Sequence, residues 1–173
     1  MTMSDRIAVM NAGRYEQLGE PETLYERPST RFVASFLGIS NLLPGTVQGN
    51  DGTSASVLLA DDSRVRAPRA LVGDDTTVHV GVRPEKIRLH DDKADPPSGH
   101  NHLLGVVRDA SYLGVGTQYL VEARGGAQIM VYEQNVERAT KSELWAPGEA
   151  VQLTWSPDHT FVVHDDPVHP SAA

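Results

Sequence analysis

The stretch Val78-His79-Val80-Gly81-Val82-Arg83-Pro84-Glu85-Lys86-Ile87-Arg88-Leu89 constrains this chain most. Val78, Val80 and Val82 alternate with His79 and Gly81, the pattern of a strand with one face on a core. Pro84 has no backbone N–H to give to a ladder, so strand pairing stops there. Ile87 and Leu89 then resume the alternation. A strand, a proline-directed bend and a second short strand suit a small β-barrel better than a flat sheet. Arg83, Glu85 and Lys86 crowd the bend, and two readings apply to them. One is a solvated corner with a single ion pair, which adds little stability. The other is a contact point for another domain or subunit.

The surrounding sequence continues in the same manner. Short β-type runs cover Leu43 to Val47, Thr53 to Leu59 and Arg64 to Ala67, with Gly49-Asn50-Asp51-Gly52, Asp61-Asp62-Ser63 and Gly73-Asp74-Asp75 between runs. Regular spacing of this kind indicates an all-β barrel or sandwich. A polar loop from Asp91 to Asn101, containing Pro96-Pro97-Ser98-Gly99, separates this first set from a second. The second set comprises Leu103 to Tyr112, Thr117 to Arg124, Gln128 to Tyr132, Val151 to Trp155 and Phe161 to Val163. Gly125-Gly126 makes a hairpin turn. Glu133 to Trp145 gives no clear pattern, and Asp165 to Ala173 reads as a frayed tail.

Ahead of the β region lie a hairpin and two short helices. Ile7-Ala8-Val9-Met10 turns through Asn11-Ala12-Gly13 and returns along Arg14 to Leu18. A lone hairpin is marginal in water, so this one should lie against something larger. Pro21 suits the first position of a helix running to about Glu26, whereas Glu20 is a poor cap. Ser29 or Thr30 caps a second helix from Arg31 to about Leu37, with Phe32, Val33, Phe36 and Leu37 as its apolar stripe and Gly38 as its stop.

Composition narrows the chemistry. A formal net charge of −8 argues against sequence-independent nucleic-acid binding, which needs a basic surface to displace counterions. With no cysteine, disulfide scaffolds and thiolate zinc sites are excluded and a cytosolic location is natural. No apolar run approaches the roughly 20 residues that span a bilayer. No G-x-x-x-x-G-K-[ST], G-x-S-x-G or H-E-x-x-H motif occurs. His100 and His102 would share a face only in a strand, and they lack a cysteine or placed carboxylate, so a solvated loop is the reading. His164 and His169, in the tail, are read as solvated too. The pairs Asp61-Asp62, Asp74-Asp75, Asp91-Asp92 and Asp165-Asp166 fall in turns or the tail, where Asp bonds its own backbone instead of doing acid–base work. Trp145 and Trp155 are assigned to packing, not to base stacking. The residues alone therefore describe an acidic, mainly β module without visible catalytic machinery.

Several runs together resemble a known family. Ser4-Asp5-Arg6-Ile7-Ala8-Val9-Met10-Asn11-Ala12-Gly13-Arg14 is followed by Glu16-Gln17-Leu18-Gly19, then Pro21-Glu22-Thr23-Leu24-Tyr25-Glu26-Arg27-Pro28. Arg31-Phe32-Val33-Ala34-Ser35-Phe36-Leu37-Gly38 and Asn41-Leu42-Leu43 come next. These look like the C-terminal end of the ATP-binding subunit of an ABC importer of the spermidine/putrescine, iron(III) or maltose type. Val80-Gly81-Val82-Arg83-Pro84-Glu85, Tyr112-Leu113-Gly114 and Tyr119 resemble the TOBE domain of such subunits. The family's Walker A lysine, Walker B acid, signature loop and switch histidine lie upstream of the Ser-Asp-Arg strand. On this resemblance the chain is a fragment without catalytic or nucleotide-binding residues, and ATP and Mg belong to the parent subunit.

The resemblance implies a mainly β fold: an OB-like TOBE barrel of two half-units, preceded by a β-hairpin and two short helices. Residues 1–39 would be the remnant of the ATPase domain, 40–165 the TOBE domain and 166–173 a flexible tail. No catalytic, cofactor-binding or metal residue is assigned, and Arg83, Glu85 and Lys86 are the candidate regulatory or interface residues. The implied partners are a second copy of the chain, buried partly through the Arg83 to Leu89 corner, the membrane permease subunits and a small-molecule or protein regulator, with no nucleic acid. The implied location is cytoplasmic, peripheral to the inner face of the cell membrane. The rival reading is a stand-alone barrel that binds a small oxyanion at glycine-rich turns, against which the acidic surface speaks.

Overall fold

The computed structural model describes residues 4–135 and 144–164, so the predicted tail from Asp165 and most of the unpatterned stretch after Glu133 lie outside the described residues. The N-terminal unit is as expected. Strands β1 (Ile7–Asn11) and β2 (Arg14–Gly19) form a two-stranded antiparallel sheet. Ala12 and Gly13 make the turn at φ 48° and 78°, the positive values a tight two-residue hairpin needs. Helices α1 (Pro21–Glu26) and α2 (Arg31–Phe36) follow. Glu20 gives α1 no side-chain cap, while the Thr30 hydroxyl accepts from the Val33 N–H at 3.2 Å and starts α2. The predicted stripe on α2 is only partly correct. Val33 is buried with Val9 and Leu24, but Phe36 is exposed and stacks on Phe32. Ala34 is buried instead, against Phe161 and Val163, because α2 is wedged between the hairpin and the β region and packs on two sides.

The β region consists of β3 (Asn41–Asn50), β4 (Ser54–Leu59), β5 (Arg64–Pro68), α3 (Arg69–Val72), β6 (Thr77–Val82), β7 (Arg88–Asp91), β8 (Asn101–Tyr112), β9 (Gly116–Ala123), β10 (Gln128–Gln134), β11 (Ala150–Trp155) and β12 (Thr160–Val163). They make two five-stranded antiparallel sheets, in the orders β12-β6-β3-β4-β5 and β10-β9-β8-β11-β7. One core runs between them, including Val57, Val65, Val80, Ile87, Leu103, Val121, Ile129, Leu153 and Trp155.

The sheets are not the two sequence sets. β7 crosses to pair with β11, and β12 crosses back to pair with β6. The cause lies in the corners. Each of β6 and β11 ends at a proline that stops its ladder, and a single 3₁₀ turn, Pro84–Lys86 or Pro157–His159, sends the chain to the other sheet. Each half therefore completes the sheet of the other.

The halves also share a sequence signature, N-x-L-x-G-x-V, at Asn41-Leu42-Leu43-Pro44-Gly45-Thr46-Val47 and Asn101-His102-Leu103-Leu104-Gly105-Val106-Val107. Every repeated residue does the same job twice. A Cβ on Gly45 would lie 2.5 Å from Val57 Cγ1 and 2.9 Å from the Leu58 carbonyl oxygen; on Gly105 it would lie 2.8 Å from Val121 Cγ1 and 2.7 Å from the Glu122 oxygen. A β-bulge follows Val47 in β3 and Val107 in β8, and bulges of this kind bend long strands around a barrel. The two asparagines clamp the opposite half. Asn41 Oδ1 accepts from the Met130 N–H at 2.7 Å and its Nδ2 donates to the Met130 carbonyl at 2.8 Å. Asn101 treats Arg66 in the same way, with both bonds at 2.8 Å. Met130 and Arg66 lie on the edge strands β10 and β5, so each carboxamide satisfies backbone groups that no neighbouring strand reaches there.

Candidate functional site

The candidate residues Arg83, Glu85 and Lys86 sit at the first proline corner, between β6 and β7. The solvated-corner reading is wrong for Arg83, which is 1% exposed. Its side chain points into the seam between the barrel and the N-terminal helices. Nη2 donates to the Tyr25 carbonyl at 2.7 Å, and Nη1 donates to the Ala34 and Gly38 carbonyls at 3.1 and 3.3 Å and to the Ser40 hydroxyl. Tyr25 O belongs to the last turn of α1 and Ala34 O to the last turn of α2. A six-residue helix leaves most of its carbonyls without intrahelical partners, and its C-terminal end carries partial negative charge. One guanidinium thus caps two helices.

The aromatic surroundings hold that guanidinium flat. The Tyr25 ring lies 4.0 Å and the Phe161 ring 5.4 Å from Arg83 Cζ, both within cation–π range. Phe161 reaches this place because its cross-strand partner is Gly81, where a Cβ would stand 2.1 Å from the ring. Burial lowers the Arg83 pKa, opposed by the charges of Tyr25, Glu85 and Glu26.

Two further bonds cross the same seam. The Tyr25 hydroxyl donates to Glu85 Oε1 at 2.8 Å. Burial, that bond and the Glu85 charge all raise the Tyr25 pKa, so the phenol remains the donor through neutral pH. Lys86 Nζ lies 3.2 Å from Glu26 Oε1 in a partly exposed ion pair. The corner predicted as an interface with a second copy is thus covered on this side by the chain's own α1 and α2.

The remaining candidates are scattered. His102 is exposed in β8 and His100 precedes that strand. Asp61 and Asp91 accept from the backbone N–H groups of Ser63 and Lys93, the local role expected of turn aspartates. Trp155 is core, and its Nε1 donates to the Thr160 hydroxyl at 2.9 Å; Trp145 packs against the same core. Among the described residues no group of three His, Cys, Asp or Glu could hold a metal ion. No helix among them is long and apolar enough to cross a membrane. A cleft between the halves, lined by Leu43, Leu59, Asp61, Leu103 and Gly125, has one carboxylate and no basic residue, which does not favour an anion.

Sequence comparison bears on the whole chain. A family model described as TOBE domain matches residues 80–163. The spermidine/putrescine import ATP-binding protein PotA of Acidothermus cellulolyticus is 46% identical over 169 residues, which is 96% of this chain and 43% of that protein. PotA of Thermobifida fusca is 44% identical, over 94% of this chain and 41% of that protein. The putrescine transport ATP-binding protein PotG of Escherichia coli is 38% identical, over 94% of this chain and 43% of that protein. The chain thus spans less than half the length of these relatives. Among solved structures, the cytoplasmic molybdate-binding protein ModG, with molybdate bound, aligns at a TM-score of 0.61 and 19% identity, covering 70% of this chain and 94% of that one. At that identity the likeness concerns the fold alone.

Proposed function

This chain corresponds to the C-terminal part of an ABC importer ATP-binding subunit and carries a TOBE domain over residues 80–163, and from that premise we propose that it is the accessory, regulatory end of such a subunit in ATP-driven polyamine uptake. The observation that carries this reading is the 46% identity to a spermidine/putrescine import ATP-binding protein over 96% of the chain. In this role the chain hydrolyses no ATP of its own, since its sequence has no phosphate-binding loop. It works from the cytoplasmic face, in contact with a second copy and within reach of the permease subunits. A small-molecule or protein regulator acting on the barrel shifts the balance between open and closed ATPase pairs by binding one state better than the other.

The reading is tested with the purified chain. Sedimentation equilibrium should find self-association in the micromolar range, and a coupled assay with ATP and Mg should find no turnover above buffer. A monomer at high concentration removes the second copy as a partner. ATP hydrolysis by the chain alone removes the accessory assignment.

A further inference from the structure

We infer that Arg83 is a latch between two bodies: it holds α1 and α2 on the barrel so that they move together, and its loss frees them without opening the barrel. Four observations carry this. First, the hydrogen bonds of the Arg83 guanidinium go to Tyr25, Ala34, Gly38, Ile39 and Ser40, all in the segment that contains the helices. None goes to the barrel strands that surround its own backbone.

Second, the barrel contains its own control. Its other half makes the same corner with Ser156-Pro157-Asp158-His159, where Ser156 stands in the place of Arg83. That turn closes with His159 N–H on the Ser156 carbonyl at 3.0 Å, as the first closes with Lys86 N–H on the Arg83 carbonyl at 3.0 Å. A corner of this type therefore folds without a guanidinium. The arginine is present for what docks on it.

Third, neither helix supplies a basic residue in its own last turn. Helices this short are not stable alone, so capping by Arg83 couples their formation to their docking. Fourth, Tyr25–Glu85 and Glu26–Lys86 bridge the same seam from the same helix, and Ala34 seats α2 on Phe161 and Val163 of the barrel. The purpose of the latch rests on the regulatory reading: an event on the barrel reaches the ATPase end through α1 and α2. Its existence does not, and the test below is independent of transport.

The test is hydrogen exchange on the full chain, comparing wild type with Arg83→Ser, the residue the other corner uses, and with Arg83→Lys. The amides to follow are Leu24, Arg27, Ala34 and Leu37, which close the two helices, and Val80, Val121 and Leu153 in the barrel. In the serine variant the helix amides should exchange at least about tenfold faster, while the barrel amides stay within about twofold of wild type. The lysine variant should fall between, because one ammonium cannot bridge carbonyls on both helices. Unchanged helix protection in either variant overturns the latch. So does a parallel loss of barrel protection in the serine variant, failure to fold included, since Arg83 would then be a barrel residue.

Discussion

Replacing Asn101 with alanine tests how the two halves hold each other. Asn101 is 2% exposed. Its carboxamide accepts from Arg66 N–H and donates to the Arg66 carbonyl, both at 2.8 Å, and donates to the Thr160 hydroxyl at 3.1 Å. The Thr160 hydroxyl keeps its bond from Trp155 Nε1, so that loss is the cheapest of the three. The two Arg66 groups, in an edge strand, lose the carboxamide that pairs with both of them. Each intramolecular bond contributes about 1 kcal/mol net, and a buried group left unsatisfied costs about 1–3 kcal/mol. Solvent reaches the rim of β5, so the low end applies to each group and the total is about 3 kcal/mol. For a chain of this size that corresponds to a fall in Tm of about 6–12 °C. Urea denaturation followed by tryptophan fluorescence reads it, with an unchanged m-value marking a change in stability rather than in the extent of unfolding. Asn41→Ala should behave alike through Met130. The double variant should be additive within about 0.5 kcal/mol, since the two clamps share no partner. A cost below about 0.5 kcal/mol for Asn101→Ala, against the 1 kcal/mol of even one ordinary hydrogen bond, refutes the clamp.

Gly81→Ala should destabilise the protein by about 1–3 kcal/mol in thermal or urea melts, the range for overpacking, because its methyl must displace the buried Phe161 ring; a neutral result means that ring is free to move. Phenol absorbance on raising the pH should show a late phase from Tyr25 and Tyr119, whose pKa values burial raises above the ordinary phenol value. Tyr25→Phe should remove part of the late phase. A raised phenol pKa means that the contribution of Tyr25 to stability is complete below about pH 10 and is lost as pH rises through its folded value. The Tyr25→Phe variant should therefore lose less stability between pH 9 and pH 11 than wild type, and an equal loss contradicts the buried phenol.

Local pattern makes much of the fold legible. Val78, Val80 and Val82 announce a strand, Pro84 its end, and Ala12-Gly13 a hairpin, because each depends on neighbours in sequence. α3 is absent from the predicted elements, although Pro68 before Arg69-Ala70-Leu71-Val72 and Gly73 after it, at φ 63°, are ordinary boundary signals. The exchange of β7 and β12 between sheets is not legible, since alternation gives the face of a strand and not its partner. Nor is the burial of Arg83. Its partners are carbonyls of α1 and α2 far away in sequence, and a backbone carbonyl has no residue type to recognise. The repeat of Asn41, Leu43, Gly45 and Val47 as Asn101, Leu103, Gly105 and Val107 is readable in the sequence. Placing the two segments side by side pairs the halves and singles out both asparagine clamps.

The accessory-domain account is tested most directly by exchange into a working importer. The segment of Acidothermus cellulolyticus PotA that matches this chain is replaced by the chain itself, and spermidine uptake is measured in cells that depend on the chimaera. The account predicts uptake restored to within a few-fold of the unmodified subunit, abolished when the chimaera's own Walker A lysine is replaced. A chimaera that binds and hydrolyses ATP normally in isolation yet gives no uptake would contradict it.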